Sequence, residues 1–396
     1  MTAIVIDSFG GISPRTDPYK LPNHGATSAL DVRLHSGALR GWRKPVSMES
    51  PVFVPVDTQT IYYDPGSEQW FAWSSDVDIV PGPVADLDAA RRYYYTGDGV
   101  PKKTDSVMAE DGTGAYPQTW LNMGVPAPIT APTASNDGVG TGTAEDHVYV
   151  FTYVSTFSGI SEEGATSPPL TVAGWQPGDT ITLTWADTVP TTGYNITARR
   201  IYRSNGGNYL FVMEQEITET PPTTAADALL NDALGESLST LSYDEPPDDL
   251  AGLVPMPNGF LAGFVGNQVY FSEAYQPHAW PSEYSQTVAE QIIALVPVAQ
   301  GCYVLTEGSP YFMTGVSPDS MTSERINKYA PCLSKKSIGT DGNGVMFATY
   351  NGVAYLLGGD CKTMTEQLFT QEEWGAYGPQ TMVGVFYDER YTLWFD

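Results

Sequence analysis

The apolar residues of this chain come in short runs, each closed by glycine, proline, asparagine or aspartate. Thr60-Ile-Tyr-Tyr63 stops at Asp64-Pro-Gly-Ser67, Arg92-Tyr-Tyr-Tyr-Thr96 stops at Gly97-Asp-Gly99, and Val353-Ala-Tyr-Leu-Leu357 starts after Tyr350-Asn-Gly352. β-Branched and aromatic side chains suit a pleated, half-buried surface, and the punctuating residues supply turns. With 31 Pro and 39 Gly in 396 residues, long helices have no room to run. The pattern predicts an all-β protein.

The spacing and character of the runs divide the chain. Residues 1–45 read as an extended N-terminal arm, because Gly10-Gly11, Pro14, Pro18 and Pro22 forbid regular structure before a strand at Ala29-Leu-Asp-Val-Arg-Leu34. Residues 46–125 hold Val52-Phe-Val-Pro-Val56, Thr60–Tyr63, Trp70-Phe-Ala-Trp73 and Arg92–Thr96, a meander of the kind that builds propeller blades. Residues 126–144, with Pro126, Pro128, Pro132 and a Gly-rich end, read as a linker.

Residues 145–245 then read as a small sandwich. Its strands are His147–Val154, Thr180–Trp185, Ala198–Arg203 and Tyr209–Met213, with a hairpin at Ser204-Asn-Gly-Gly-Asn208 and a short helix from Ala225 to Leu234. Four strands in such a length fit an immunoglobulin-like or fibronectin-III-like module without the Cys…Trp…Cys spacing of antibody domains. Tyr243–Asp249 is a second, acidic linker. Residues 246–396 resume the meander, with strands near 259–264, 268–272, 292–298, 302–306, 310–314, 344–348 and 353–357. Thr370-Gln-Glu-Glu373 has the form of a capping box opening a short helix. The chain stops on a strand-like Tyr391–Asp396, and the natural protein is expected to continue and complete its blades. The fold class expected is therefore all-β: a propeller-like meander interrupted by an inserted sandwich, with an extended arm in front.

Met1–Asp7 lacks the basic start and apolar length of a signal peptide, and no apolar run reaches the roughly 18 residues of a membrane helix. Cys302, Cys332 and Cys361 are an odd set without CxxC spacing, which predicts buried free thiols in a protein made in a reducing cytosol.

The net charge of −27 is unevenly placed. Between Arg203 and Arg325 there is no Lys or Arg but sixteen Asp and Glu, whereas Met1 to Lys44 has six basic residues against three acids. An acidic tract repels phosphate and anionic lipid. That excludes a nucleic-acid grip for most of the chain, but it suits a surface along which a polyanion must pass without sticking.

Motifs for chemistry are missing. His24, His35, His147 and His278 are dispersed and read as surface or packing residues; there is no HExxH, P-loop or GxSxG. Gly138-Val-Gly-Thr-Gly142 lacks the lysine of a phosphate cradle. Carboxylate pairs serve glycoside hydrolysis, but among 46 acids Glu162-Glu163, Asp248-Asp249 and Glu372-Glu373 are expected on solvated faces. Asp64-Pro-Gly-Ser-Glu-Gln-Trp70 is similar to the Asp-box turn of sialidases, without the preceding Ser/Thr and with its Trp one residue late; it reads as a structural turn. Arg91-Arg92 and Lys102-Lys103 read as solvated loop charges. Arg40, Arg43 and Lys44 form the most basic cluster and suit contact with an acidic neighbouring subunit.

Two sets of segments resemble one family. Phe9-Gly-Gly-Ile-Ser-Pro14, Leu21-Pro22, Ala26, Ala29–Leu34 and Ser36-Gly-Ala-Leu-Arg40 resemble the start of tail proteins of short-tailed phages, with Asp31 where that pattern has Asn. Tyr93–Pro101, Tyr153-Val-Ser155, Arg200-Ile-Tyr-Arg203, Pro246–Leu253, Asn258–Phe264, Tyr270–Glu273, Ala279-Trp-Pro281 and Leu305–Pro310 follow in the same order as in those proteins. The family resembled is the phage tail nozzle or head–tail connector. The resemblance implies a virion protein made in the host cytoplasm and assembled as a ring, usually a hexamer, below the portal and adaptor proteins. Tail fibres or a plug are further partners, and double-stranded DNA crosses its channel during genome ejection without sequence-specific binding. It implies no catalysis, cofactor or metal. Glu273, Glu283 and Glu290 are then the expected channel acids, and Arg40, Arg43 and Lys44 the expected subunit contacts. The competing expectation is a tail-borne glycan-binding or glycan-degrading propeller, for which Tyr and Trp are plentiful.

Overall fold

The computed structural model describes residues 9–30, 32–33, 37, 40–41, 57–65, 67–83, 91–186, 188–204, 211–218, 224–387 and 390–395. The expected strand at Val52–Val56, the turn after Ser204, and Arg43 and Lys44 lie outside them. Among the described residues the chain is nearly all β, in several mostly antiparallel sheets, with α-helices only at Ser106–Ala109 and Gln371–Ala376 and a few 3-10 turns. It divides into two compact units, residues 51–287 with 315–322, and residues 1–50 with 288–314 and 323–396.

The first unit contains two four-stranded meanders in which chain neighbours are sheet neighbours. One is Asp78–Pro81, Arg92–Thr96, Lys102–Asp105 and Leu121–Asn122; the other is Ala251–Pro255, Leu261–Val265, Gln268–Phe271 and Ser285–Thr287. The three consecutive tyrosines of Arg92–Thr96 are all buried, since both faces of that strand are covered. Tyr94 points to a core with Val80, Met123, Leu253, Leu261 and Trp280. Tyr93 and Tyr95 point the other way, onto Phe71, Trp73 and Val77 near the hairpin Thr60–Asp64/Gln69–Trp73.

The same unit holds a pair of sheets over a shared core. The 13-residue strand Glu145–Phe157 is the axis of the larger sheet. Its first half pairs with Leu170–Trp175, its second half with Ile160–Thr166, and its other edge with Ile196–Ser204, which pairs in turn with Phe211–Thr218. The smaller sheet is Thr133–Asn136, Ile181–Thr184 and Thr224–Asp227. Tyr149, Phe151, Tyr153 and Ile201 from the larger sheet meet Ile181, Leu183 and Ala225 from the smaller one, together with Trp175 and Trp185.

Three sequence expectations change here. Thr133–Asn136, inside the segment read as a linker, is a strand laddered on Ile181–Thr184. Thr224–Asp227 is a strand on the other side of Ile181–Thr184, where a helix was expected to begin. Its Ala225 and Asp227 are buried and its Thr224 and Ala226 exposed, so the period-two pattern and the ladder override the helix propensity of alanine. Only the turn Asn231–Ala233 is helical, as 3-10. The acidic segment 243–249 is packed: Trp280 N–H donates to the Asp244 carbonyl at 2.9 Å, and Pro246 is buried.

In the second unit, Ile292–Val298, Gly301–Thr306 and Tyr311–Thr314 form an antiparallel meander with Thr322–Arg325 beside it. Gly339–Thr340, Gly344–Thr349, Gly352–Leu357 and Asp360–Thr363 form another, joined by a core of Val296, Tyr303, Leu305, Val345, Phe347 and Leu356. Thr370 and Glu373 complete the capping box of Gln371–Ala376, which buries Trp374. The arm's described residues form two minimal pairings, Gly11–Ile12 with Gly25–Ala26 and Val32–Arg33 with Arg40–Gly41.

Candidate functional site: an acidic face and a buried ion network

Several carboxylates of the first unit gather on one surface. Glu273 is half-buried, accepting from the Ala274 N–H at 2.9 Å and the Tyr284 hydroxyl at 3.2 Å. Burial, then Glu273, Asp319 and Glu283, push the Tyr284 hydroxyl up to about 12, so all three carboxylates act on one ring. Asp319 is brought there by the turn Pro318–Ser320, whose segment is tied by Asn258 Nδ2 to the Val316 carbonyl at 2.8 Å and by Gln286 Nε2 to the Met321 carbonyl at 3.1 Å. Glu283 also acts on Asp244, whose carboxyl, though exposed, is raised first by partial desolvation and then by that neighbour. The next residue, Glu245, accepts from the Tyr194 hydroxyl at 2.7 Å and is raised mainly by burial, with Asp248 adding to it. Asp244, Asp248, Asp249, Glu283 and Asp319 are exposed.

The structure thus brings Glu273 and Glu283 into one acidic patch with Asp319 and Asp244, and Asp248 acts on the neighbouring Glu245. Sequence reading missed Asp244, Asp248 and Asp319 because 243–249 looked like a linker and Asp319 is remote in sequence. Glu290 is different. It lies in the second unit, accepts from Tyr311 at 2.8 Å and pairs with Arg325 at 2.9 Å, so its charge is locally compensated. Arg40 has its backbone in the pair Val32–Arg33/Arg40–Gly41.

Three charged residues expected in solvent are buried, the pair Glu162-Glu163 and the second lysine of Lys102-Lys103. Glu162 and Glu163 are 3 % and 8 % exposed and Lys103 is 1 % exposed. The Lys103 ammonium donates to Glu162 and, at 3.1 Å, to the Met123 carbonyl. Glu163 accepts from Thr152 at 2.6 Å, Tyr202 at 2.7 Å and Arg200 at 2.7 Å, and Arg200 also holds Glu216 at 2.6 Å. A bulge in the ladder between Glu145–Phe157 and Ile160–Thr166 accompanies this inversion. Charges this deep are kept only when paired and hydrogen-bonded, which no local sequence pattern announces. Asp248-Asp249 and Glu372-Glu373 are exposed, as expected.

A second buried set lies in the sandwich. Arg203 and Asp227, both 0 % exposed, pair at 3.1 Å. Tyr149 donates to Asp227 at 2.7 Å, Arg203 donates to the Leu229 carbonyl at 2.7 Å, and His147 stacks 4.5 Å from Trp175. His147 and His278 are both buried and both lowered, mainly by desolvation. Asp64 is buried and accepts from Ser67 and Ser106, which makes its turn a structural fastening. The Cys302 and Cys332 thiols are buried and pushed up to about 12 by desolvation, far from nucleophilic reactivity. Among the described residues no group of three or more His, Cys, Asp or Glu is arranged to hold a metal, and no helix is long and apolar enough to cross a membrane.

No family model and no curated protein matches this chain. Among solved structures, YCF48 from Cyanidioschyzon merolae is similar at 11% identity and a TM-score of 0.30, covering 88% of this chain and 94% of its own. AztD from Citrobacter koseri is similar at 13% identity and a TM-score of 0.24, covering 75% of this chain and 82% of its own. Likenesses at these scores assign neither fold nor function.

Proposed function

We propose that the chain is a structural protein of a short-tailed phage, a nozzle or connector subunit that assembles into a ring and conducts the genome past an acidic wall. In this reading the four-stranded meanders are propeller blades, the paired sheets of 133–227 are the inserted immunoglobulin- or fibronectin-III-like module, and no residue performs chemistry. The observation that carries it is the acidic patch of Asp244, Glu273, Glu283 and Asp319, with Asp248 beside Glu245, on a stretch of sequence without Lys or Arg. Duplex DNA carries about one negative charge per 1.7 Å, and basic walls hold it by counterion release. An acidic wall within a Debye length, about 8 Å at physiological salt, keeps it sliding. The family-like motifs of the sequence support the same assignment. The basic arm, with Arg40, Arg43 and Lys44, is the proposed subunit contact, and the portal, adaptor and tail fibres are the proposed partners.

Duplex-DNA binding measured by fluorescence anisotropy tests the electrostatic part. The full chain is expected to leave a 30-base-pair duplex free at low salt. The triple substitution Asp244→Lys, Asp248→Lys, Glu283→Lys is expected to bind it with a salt-dependent affinity. Tight binding by the unsubstituted chain, or none by the triple variant, contradicts the reading.

A further inference from the structure

The second unit contains a cleft of about 390 Å³ lined by ten residues, none of them Lys, Arg or His. It opens where three turns meet: Ala299-Gln300 between Ile292–Val298 and Gly301–Thr306, Asp341–Asn343 between Gly339–Thr340 and Gly344–Thr349, and Gly358 after Gly352–Leu357. Its size falls within the about 300–1,000 Å³ of small-ligand sites.

The floor is rigid. Tyr303 is buried, donates to the Gly358 carbonyl at 3.0 Å, and lies 4.7 Å from the half-exposed ring of Phe312. Tyr355 also lines the cleft, half-exposed, its hydroxyl donating to Asp341 at 3.1 Å. Asp341 also accepts from the backbone N–H of Asn343 at 2.9 Å and of Gly344 at 2.7 Å, so it is fixed in position and its carboxyl held below the usual range. The side-chain amides of Gln300 and Asn343 are exposed at the rim and make no hydrogen bond to protein among the described residues. Each offers two donors and an acceptor.

We propose that this cleft binds a neutral saccharide. Phe312 and Tyr355 present apolar ring faces to a pyranose, and Gln300, Asn343 and Asp341 offer planar polar groups to vicinal hydroxyls. The fixed charge of Asp341 and the lack of any cation in the lining turn away phosphates, uronic acids and sialic acids. The site is independent of the conduit reading: it lies in the other unit and uses none of the acidic patch.

The test is a glycan array of neutral and anionic oligosaccharides probed with the labelled full chain. The strongest neutral binder is then titrated by saturation-transfer NMR against wild type and the double variant Gln300→Ala, Asn343→Ala. Both substituted residues are exposed, so the fold is expected to survive, and thermal denaturation checks this. A separate variant, Phe312→Leu, removes the ring and keeps an apolar side chain. The proposal expects neutral glycans to be retained over anionic ones, and each variant to weaken binding about tenfold or more, as the loss of two hydrogen bonds or a stacking face implies. A blank array, preference for anionic glycans, unchanged binding in the variants, or displacement by choline chloride instead of saccharide overturns it.

Discussion

His278 Nδ1 lies 3.8 Å from Glu162 Oε1, with both side chains almost fully buried. The imidazole Nε2 faces the Glu163 carbonyl at 3.2 Å, and the Tyr243 ring packs edge-on 6.0 Å away. Lys103, Glu162 and Glu163 are the charged groups around it, and desolvation outweighs their net effect, lowering the imidazole below its ordinary value.

The sign of the resulting pH dependence follows. At neutral pH the histidine is uncharged in both states. As pH falls through the unfolded value of about 6.5, the unfolded chain takes up a proton that the folded chain refuses, so stability declines. The decline ends at the lower folded value. His147 is lowered as well and acts in the same direction. Urea unfolding at a series of pH values is expected to show wild type losing stability between pH 7 and 5, with His278→Gln giving a shallower slope. Identical slopes contradict the assignment.

Lys103 neutralises Glu162 where neither reaches water. Lys103→Met leaves a buried, unpaired carboxylate and is expected to cost about 3–5 kcal/mol. Adding Glu162→Gln is expected to recover much of that, because the uncompensated charge is gone. Chemical denaturation of the two variants checks both steps. Equal losses in the single and double variants would show that the uncompensated Glu162 charge is not the cause, and that other contacts of the lysine, such as its ammonium over the Phe157 ring at 5.4 Å, matter more.

Gly97 turns Arg92–Thr96 back toward Lys102–Asp105 with φ +96°, and an added Cβ would sit 2.1 Å from the Asp76 carbonyl oxygen. Neither the conformation nor the space suits another residue. Gly97→Ala is expected to destabilise by more than about 1 kcal/mol. In contrast Gly99→Ala, also at positive φ but in open space, is expected to cost less. Melting temperatures of the pair separate steric clash from backbone strain.

Much of the secondary structure was legible in sequence. Arg92–Thr96 and Ile292–Val298 form strands with the expected bounds, and Thr370 caps the expected helix. These are long apolar runs or local capping patterns, whose causes lie within a few residues. Strands such as Lys102–Asp105 and Ile160–Thr166 were missed because they carry charges inward. Lys103 and Glu162 are 59 residues apart and explain each other only once paired. Thr224–Asp227 was misjudged for a similar reason: its strand depends on a ladder with Ile181–Thr184. For the candidate site, the charge asymmetry marked the stretch from which Glu273 and Glu283 come, and the fold places both around the Tyr284 ring. Asp244, Asp248 and Asp319 did not stand out, and Glu290 is paired with a distant arginine, since surface neighbourhood is a tertiary property.

Electron cryomicroscopy of the native particle tests the central claim most directly. The conduit account predicts a ring of this chain on the tail axis, below the portal, with Asp244, Asp248, Glu283 and Asp319 facing the lumen. Isolated copies on the outside of the tail, or a lumen lined by Lys and Arg with these acids turned outward, would contradict it.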